Sequence, residues 1–185
     1  MTPADADGGS DRFAADLRAL TDQQRADQAA GARRRAQSLR TQSAEAGSFA
    51  GVLVDLGERE QSLAISTLSG RTLRGVIRTI GADFVGLRGP SGEGCLVALA
   101  AIAVARAEPG AAPSLGDRVV EVDTGLAGVL AGLAPERPWL SVHTASGEAL
   151  TGSLLRVGLD VLAVRSDAGA TAYVPLRNLS DVVLP

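Results

Sequence analysis

The stretch FAGVLVDLGEREQSLAISTLSGRTLRGVIRTIGADFVGLRGPSGEGCLVALAAI, residues 49–102, returns 77 residues later as LAGVLAGLAPERPWLSVHTASGEALTGSLLRVGLDVLAVRSDAGATAYVPLRNL, residues 126–179. No gap is needed across the 54 aligned positions, and seventeen of them are identical. About five identities would be expected by chance at so biased a composition. The matching pairs include Gly70/Gly147, Gly75/Gly152, Gly81/Gly158, Asp83/Asp160, Arg88/Arg165 and Gly92/Gly169. One unit has been duplicated.

Within each copy the first piece reads as a helix. AGVLVDL sets Val52, Leu53 and Leu56 on one face, and AGVLAGL does the same with Val129, Leu130 and Leu133. Five strand-like pieces follow. In copy one they cover Ser62–Leu68, Thr72–Ile80, Phe84–Arg88, Cys95–Leu99 and Ile102–Arg106. In copy two they cover Trp139–Thr144, Ala149–Val157, Val161–Arg165, Ala172–Leu176 and Leu179–Leu184. Ser-Gly, Gly-x-Asp and Gly-containing turns separate them. One helix and five short strands cover their edges only by bending the sheet into a barrel. Gly75 and Gly152, in mid-strand, mark where such a strand kinks.

Outside the repeat, residues 1–9 are small and acidic and are expected to be a disordered tail. Residues 10–46 contain no Pro and are dominated by Ala, Arg, Gln and Leu, which predicts one long helix. Its apolar stripe of Phe13, Leu17 and Leu20 thins into alanines. That helix is a candidate docking element for a protein partner. Residues 107–124 carry two Pro, two Gly and four acids against one Arg, as a linker would. The expected fold class is mainly β with an N-terminal helix: two tandem five-stranded bent barrels, over 48–106 and 125–185, each preceded by a short helix.

Composition narrows the chemistry. The chain of 185 residues contains 18 basic side chains, all Arg, against 21 acids. Without Lys there is no Schiff-base nucleophile and no Walker-type phosphate loop. One Cys excludes an internal disulfide framework and one His excludes a multi-His zinc site. No Ser-His-Asp, Cys-His or paired-carboxylate arrangement has usable spacing, so no enzyme, metal or cofactor is expected. His143 has no catalytic partner near it in sequence. The N-terminus lacks a signal-peptide pattern and no apolar run reaches about 18 residues. A cytoplasmic protein that does not cross a membrane is therefore expected. A net charge of −3 speaks against nucleic-acid binding by bulk charge while leaving room for a local basic patch.

The order helix, strand, SG-x-x-L-x-G-x-[IL], Gly-x-Asp turn, apolar strand, Gly-containing loop, V-x-L-x-x-[IL] resembles the Sm-like superfamily. That group includes Sm and LSm proteins and the RNA chaperone Hfq, and the tail domain of the maturation factor RimP is similar. The resemblance covers residues 48–106 and 125–185. The segments Gly75–Ile77 and Gly152–Leu154 match the first Sm motif, and the closing V-x-L-x-x-[IL] matches the second. The Ala-rich, Lys-free composition is also similar to that of small tandem proteins from high-GC actinobacteria. What the resemblance implies is an SH3-like barrel, RNA binding or membership of an RNA-processing or ribosomal assembly, and homo-oligomers formed through barrel edge strands. The Sm uridine-pocket positions hold Gly81 and Val85, or Gly158 and Leu162, with the Asp displaced to Asp83 and Asp160. Where the second motif carries its Arg-Gly turn, copy one has Ala100 and Ala101, and copy two has Arg177 and Asn178.

The residues singled out for RNA or partner contact are Arg71, Arg74, Arg78, Asp83, Arg88, Asp160, Arg165, Arg177 and Asn178. Strand alternation places Arg74 and Arg78 with Val76 and Ile80 on one side of the sheet. Such a ladder either grips phosphates or simply solvates a surface. Asp83 and Asp160 either contact a ligand or fix their turns by accepting backbone N–H groups. Arg33–Arg35 either bind an acidic partner or balance nearby acids on an exposed helix. Aromatics, the usual platforms for stacked bases, are scarce. The alternative to RNA binding is a protein-interaction module that uses the barrels as adaptors.

Overall fold

The computed structural model describes residues 28, 31–39, 41, 47–119 and 122–185. The chain divides into two units, residues 1–46 and 47–185. In the first, residues 31–39 are helical (α1), as are the isolated positions 28 and 41. The rest of the long helix expected over 10–46, and the tail 1–9, lie outside the described residues.

In the second unit Ser48 opens helix α2 (Phe49–Glu58) because its Oγ accepts the N–H of Gly51 at 2.9 Å. Leu53 and Leu56 face inward from it. Five strands follow: β1 (Ser62–Thr67), β2 (Thr72–Ile80), β3 (Phe84–Arg88), β4 (Gly94–Ala98) and β5 (Ile102–Ala107). After the connection come α3 (Leu126–Leu133), β6 (Trp139–Thr144), β7 (Ala149–Val157), β8 (Val161–Arg165), β9 (Thr171–Pro175) and β10 (Leu179–Leu184). Every strand boundary in the second half lies 77 residues after its counterpart, so the duplication seen in sequence is a duplication of structure. Glu60 and Arg137, also 77 apart, both take positive φ of 50° and 48° where the helix hands over to the first strand.

Six of the ten strands begin and end as the alternation predicts, and the other four shift by a residue. Gly75 and Gly152 have a reason beyond a kink. A Cβ at either would run into the backbone carbonyl of Arg88 or Arg165 on the neighbouring strand. Register shifts between Ile77 and Thr79, and between Leu154 and Arg156, sit at equivalent places. The first of these returns Ile80 to the core side, so Ile80 does not stay in line with Arg74 and Arg78 as simple alternation predicts.

All pairings are antiparallel, and the described strands form one ten-stranded sheet in the order β5-β1-β2-β3-β4-β10-β6-β7-β8-β9. Both halves repeat one strand order. They are not two separate sheets, however: β4 of copy one pairs with β10 of copy two, Val97 opposite Asp181 and Cys95 opposite Val183. The cores interlock across this seam. Phe84 and Leu96 belong by sequence to copy one yet pack with Leu130, Leu140 and Val182 in the second core. Val183 packs in return against the first core. The connection is no free tether either, since the Ser48 N–H donates to the Gly116 carbonyl at 2.9 Å and Arg118 pairs with Glu58 at 3.1 Å. Among the described residues no helix is long and apolar enough to cross a membrane.

Candidate functional site

Strand alternation sends Leu63, Ile65 and Thr67 of β1 into the core and leaves Ser62, Ala64 and Ser66 on the outer face. Register then decides what stands beside them. Ala64 lies opposite Arg74 of β2 on one side and opposite Arg106 of β5 on the other. Two exposed arginines thus flank one small side chain. In the next row Arg88 faces Val76, which faces Ser62. Arg78 completes the set, and together these strands line an open groove of about 700 Å³.

The four guanidinium groups are not equally engaged. Arg78 is tied to Glu60 at 2.7 Å, an exposed pair worth little in stability. Arg106 donates to Ser66 Oγ at 3.0 Å. Arg74 and Arg88 have no ion-pair partner among the described residues. Among the described residues Glu108 is the one acid on the groove wall. A smaller groove of about 310 Å³ shares Thr72, Arg74, Gly89 and Pro90 with the first and continues it toward Arg71 at the seam.

Copy two lacks this surface. At the positions of Arg74, Arg78 and Arg106 it carries Thr151, Leu155 and Val183, and Arg165 alone is retained. Ser141 replaces Ala64, and its Oγ is 3.0 Å from Thr151 Oγ1, so the row is neutral and internally paired. The charge difference between the copies is concentrated on this face.

Three of the predicted residues, Arg74, Arg78 and Arg88, are therefore brought together, and the others are dispersed. Arg71 turns toward the seam, where its guanidinium lies 3.3 Å from Asp181 Oδ1. The Oδ1 of Asp83 accepts the N–H of Leu126 at 2.6 Å, anchoring the start of α3 in the other copy. It therefore fixes structure by accepting a backbone N–H, as the plainer reading expects, but across the seam rather than within its own turn. Asp160, its counterpart, is exposed, and its backbone carbonyl accepts from Leu176. Arg165 is exposed at the end of β8, and Arg177 and Asn178 are exposed in the turn between β9 and β10. None of the last four lines the basic groove.

Sequence reasoning missed Arg106, since nothing local distinguishes it before the β1–β5 register is known. It also missed the neighbour of His143. The His143 Nδ1 is 2.9 Å from Oδ1 of the fully buried Asp181, but off the line a hydrogen bond needs. Burial lowers the His143 pKa, Asp181 opposes that shift and Arg71 adds to it. This cluster faces the seam between the copies. Beside it, burial and then the Asp181 charge push the Cys95 thiol up to about 12, which keeps it protonated. Trp139, at the start of β6, is 40% exposed. Among the described residues no three His, Cys, Asp or Glu side chains are grouped to hold a metal ion.

No protein-family model matches the chain, and no curated protein sequence matches it either.

Proposed function

We propose that this is a non-catalytic RNA-binding protein of tandem Sm-like architecture, each half a bent SH3-type barrel, whose first copy engages RNA phosphates through the arginine groove. The observation that carries the reading is the row Arg74–Ala64–Arg106, with Arg88 and Arg78 beside it. Arginine presents a planar fork that meets a phosphate through two hydrogen bonds. Clustering four such groups in one groove of an acidic chain has an energetic cost of mutual repulsion, which an anionic ligand relieves.

A second reading rests on the outer sheet edges. Pairing of β4 with β10 leaves β5 and β9 at the outer edges of the described sheet, each with a strand on one side only, and Val104 and Tyr173 on them are exposed. Such edges receive an added strand from a protein partner or from another copy of the chain. Residues 10–46 offer a further docking element in this reading.

The test is fluorescence anisotropy with a labelled single-stranded RNA, comparing wild type with Arg74→Thr/Arg106→Val. Those replacements are the residues copy two carries at the equivalent positions, and because Arg74 and Arg106 are both exposed they leave the core untouched. Wild type is expected to bind, and the double variant to bind at least about tenfold more weakly, since each charged hydrogen bond contributes on the order of 1.5–3 kcal/mol. Equal affinity of the two proteins would remove the groove as the site, and absence of RNA binding at moderate salt would leave the edge-strand reading.

A further inference from the structure

We infer that the groove takes one unpaired strand of a phosphodiester chain and reads its backbone, not its bases. This rests on the RNA-binding reading above and specifies what form of nucleic acid satisfies the site.

Width comes first. Neighbouring strands of a sheet lie about 4.8 Å apart, so two strand spacings put the Cα atoms of Arg74 and Arg106 about 10 Å from each other. The floor between them is the methyl group of Ala64. A single chain fits with its phosphates flanked on both sides by guanidinium groups. A duplex displays its phosphates on a convex surface and would meet the rims alone.

Chemistry comes second. Among the described residues no Phe, Tyr, Trp or His lines the groove, so no aromatic ring offers a base a stacking platform there. No Asn or Gln lines it either, and those are the side chains that pair with adenine edges. Small residues, among them Gly75, Ser62 and Ser66, contribute to the lining together with the aliphatic Leu63 and Val76. Contacts of this kind fix position on a strand and carry no sequence information.

Extent comes third. Because Thr151, Leu155 and Val183 neutralise the equivalent face of copy two, the strand is held by copy one alone. It runs from the free β5 edge past Arg74 toward Pro90 and the smaller groove near Arg71. Arg74, Arg88 and Arg106 are the groups left to neutralise phosphates, Arg78 being held by Glu60.

The experiment is an anisotropy titration of the full chain with oligo(U) and oligo(A) of equal length, a duplex RNA of the same length, and linear inorganic polyphosphate, each over a range of salt. The two single strands are expected to bind within about threefold of each other and the duplex at least about tenfold more weakly, as backbone contacts from a narrow groove require. With three phosphates neutralised on a single strand, the slope of log affinity against log salt is expected near −2. Arg74→Thr and Arg106→Val should each reduce that slope by about 0.7. Discrimination between oligo(U) and oligo(A) beyond about tenfold would overturn backbone reading while leaving RNA binding standing. Duplex binding as tight as single-strand binding would overturn the single-strand form. Polyphosphate bound without either oligonucleotide would show that the groove serves a bare phosphate chain, ending both this inference and the RNA reading. If none of the four binds, the RNA reading itself fails.

Discussion

At the scale of single residues the seam cluster is the least forgiving part of the molecule. Asp181 is fully buried, with Arg71 of the other copy on one side and His143 on the other. Removing Arg71 leaves a buried charge uncompensated, so Arg71→Met is expected to cost about 3 kcal/mol in a urea titration. Replacing both partners, as Arg71→Met/Asp181→Leu, should recover most of that loss, because an apolar pair of similar volume has no desolvation penalty to offset. A double-variant loss equal to the sum of the Arg71→Met and Asp181→Leu losses would show that the pair is not coupled. His143 makes a separate, pH-dependent contribution. Its folded pKa is held down by burial, while the unfolded chain returns it to about 6.5. Between those two values the unfolded state binds more protons, so stability drops as pH falls through about 6.5 toward the lowered folded value. The melting temperature of His143→Gln should show a shallower decline than wild type across that window, and identical declines would clear His143 of the effect. In the sequence, Arg71 stands out as a surface cation and His143 as isolated. Their common partner sits in the other copy, and no local pattern reports a contact so distant along the chain.

Elements were far more legible than contacts. Alternation, turn residues and the repeat located all ten strands, because each of these signals operates within a few residues. The glycines were legible as special, but the close approach of the neighbouring strand that requires them was not. Gly152 is required by the carbonyl of Arg165 on the adjacent strand. Gly152→Ala is therefore expected to destabilise by about 2 kcal/mol, as overpacking does. A matched control exists in Gly132 of α3, where an added Cβ meets nothing within 4 Å. Gly132→Ala should be neutral or stabilising by up to about 1 kcal/mol, since Ala is the better helix former. Urea midpoints of the two variants moving in opposite directions would support close strand approach, and a harmless Gly152→Ala would refute it. Arg106 shows the same limit on the functional side. Its strand was predicted, and Arg74 was singled out, but only the pairing of β1 with both β2 and β5 makes neighbours of the two.

For the molecule as a whole, the duplication suggests two autonomous domains, and the seam argues otherwise. Burial decides the question. Phe84 and Leu96 are lent by copy one to the second core, Val183 is lent back, and the buried Asp181 is neutralised by Arg71 from the other copy. Separating the copies would expose all of these and also break the β4–β10 ladder. Loss of either half would thus strip buried residues from the other, and the unit spanning residues 47–185 should unfold in one transition. Trp139, the only Trp, lies on β6 in copy two and reports there. Leu53→Ala damages the other copy, since Leu53 is fully buried in the first core, and the cavity should cost about 3 kcal/mol. If the halves are coupled, Trp139 fluorescence in the Leu53→Ala variant shifts to lower urea by the same amount as the far-UV circular dichroism. If they are independent, Trp139 keeps its wild-type midpoint and the dichroism becomes biphasic. The second outcome would mean that the arginine groove and the neutral face of copy two are carried by separable domains joined only by a strand pairing.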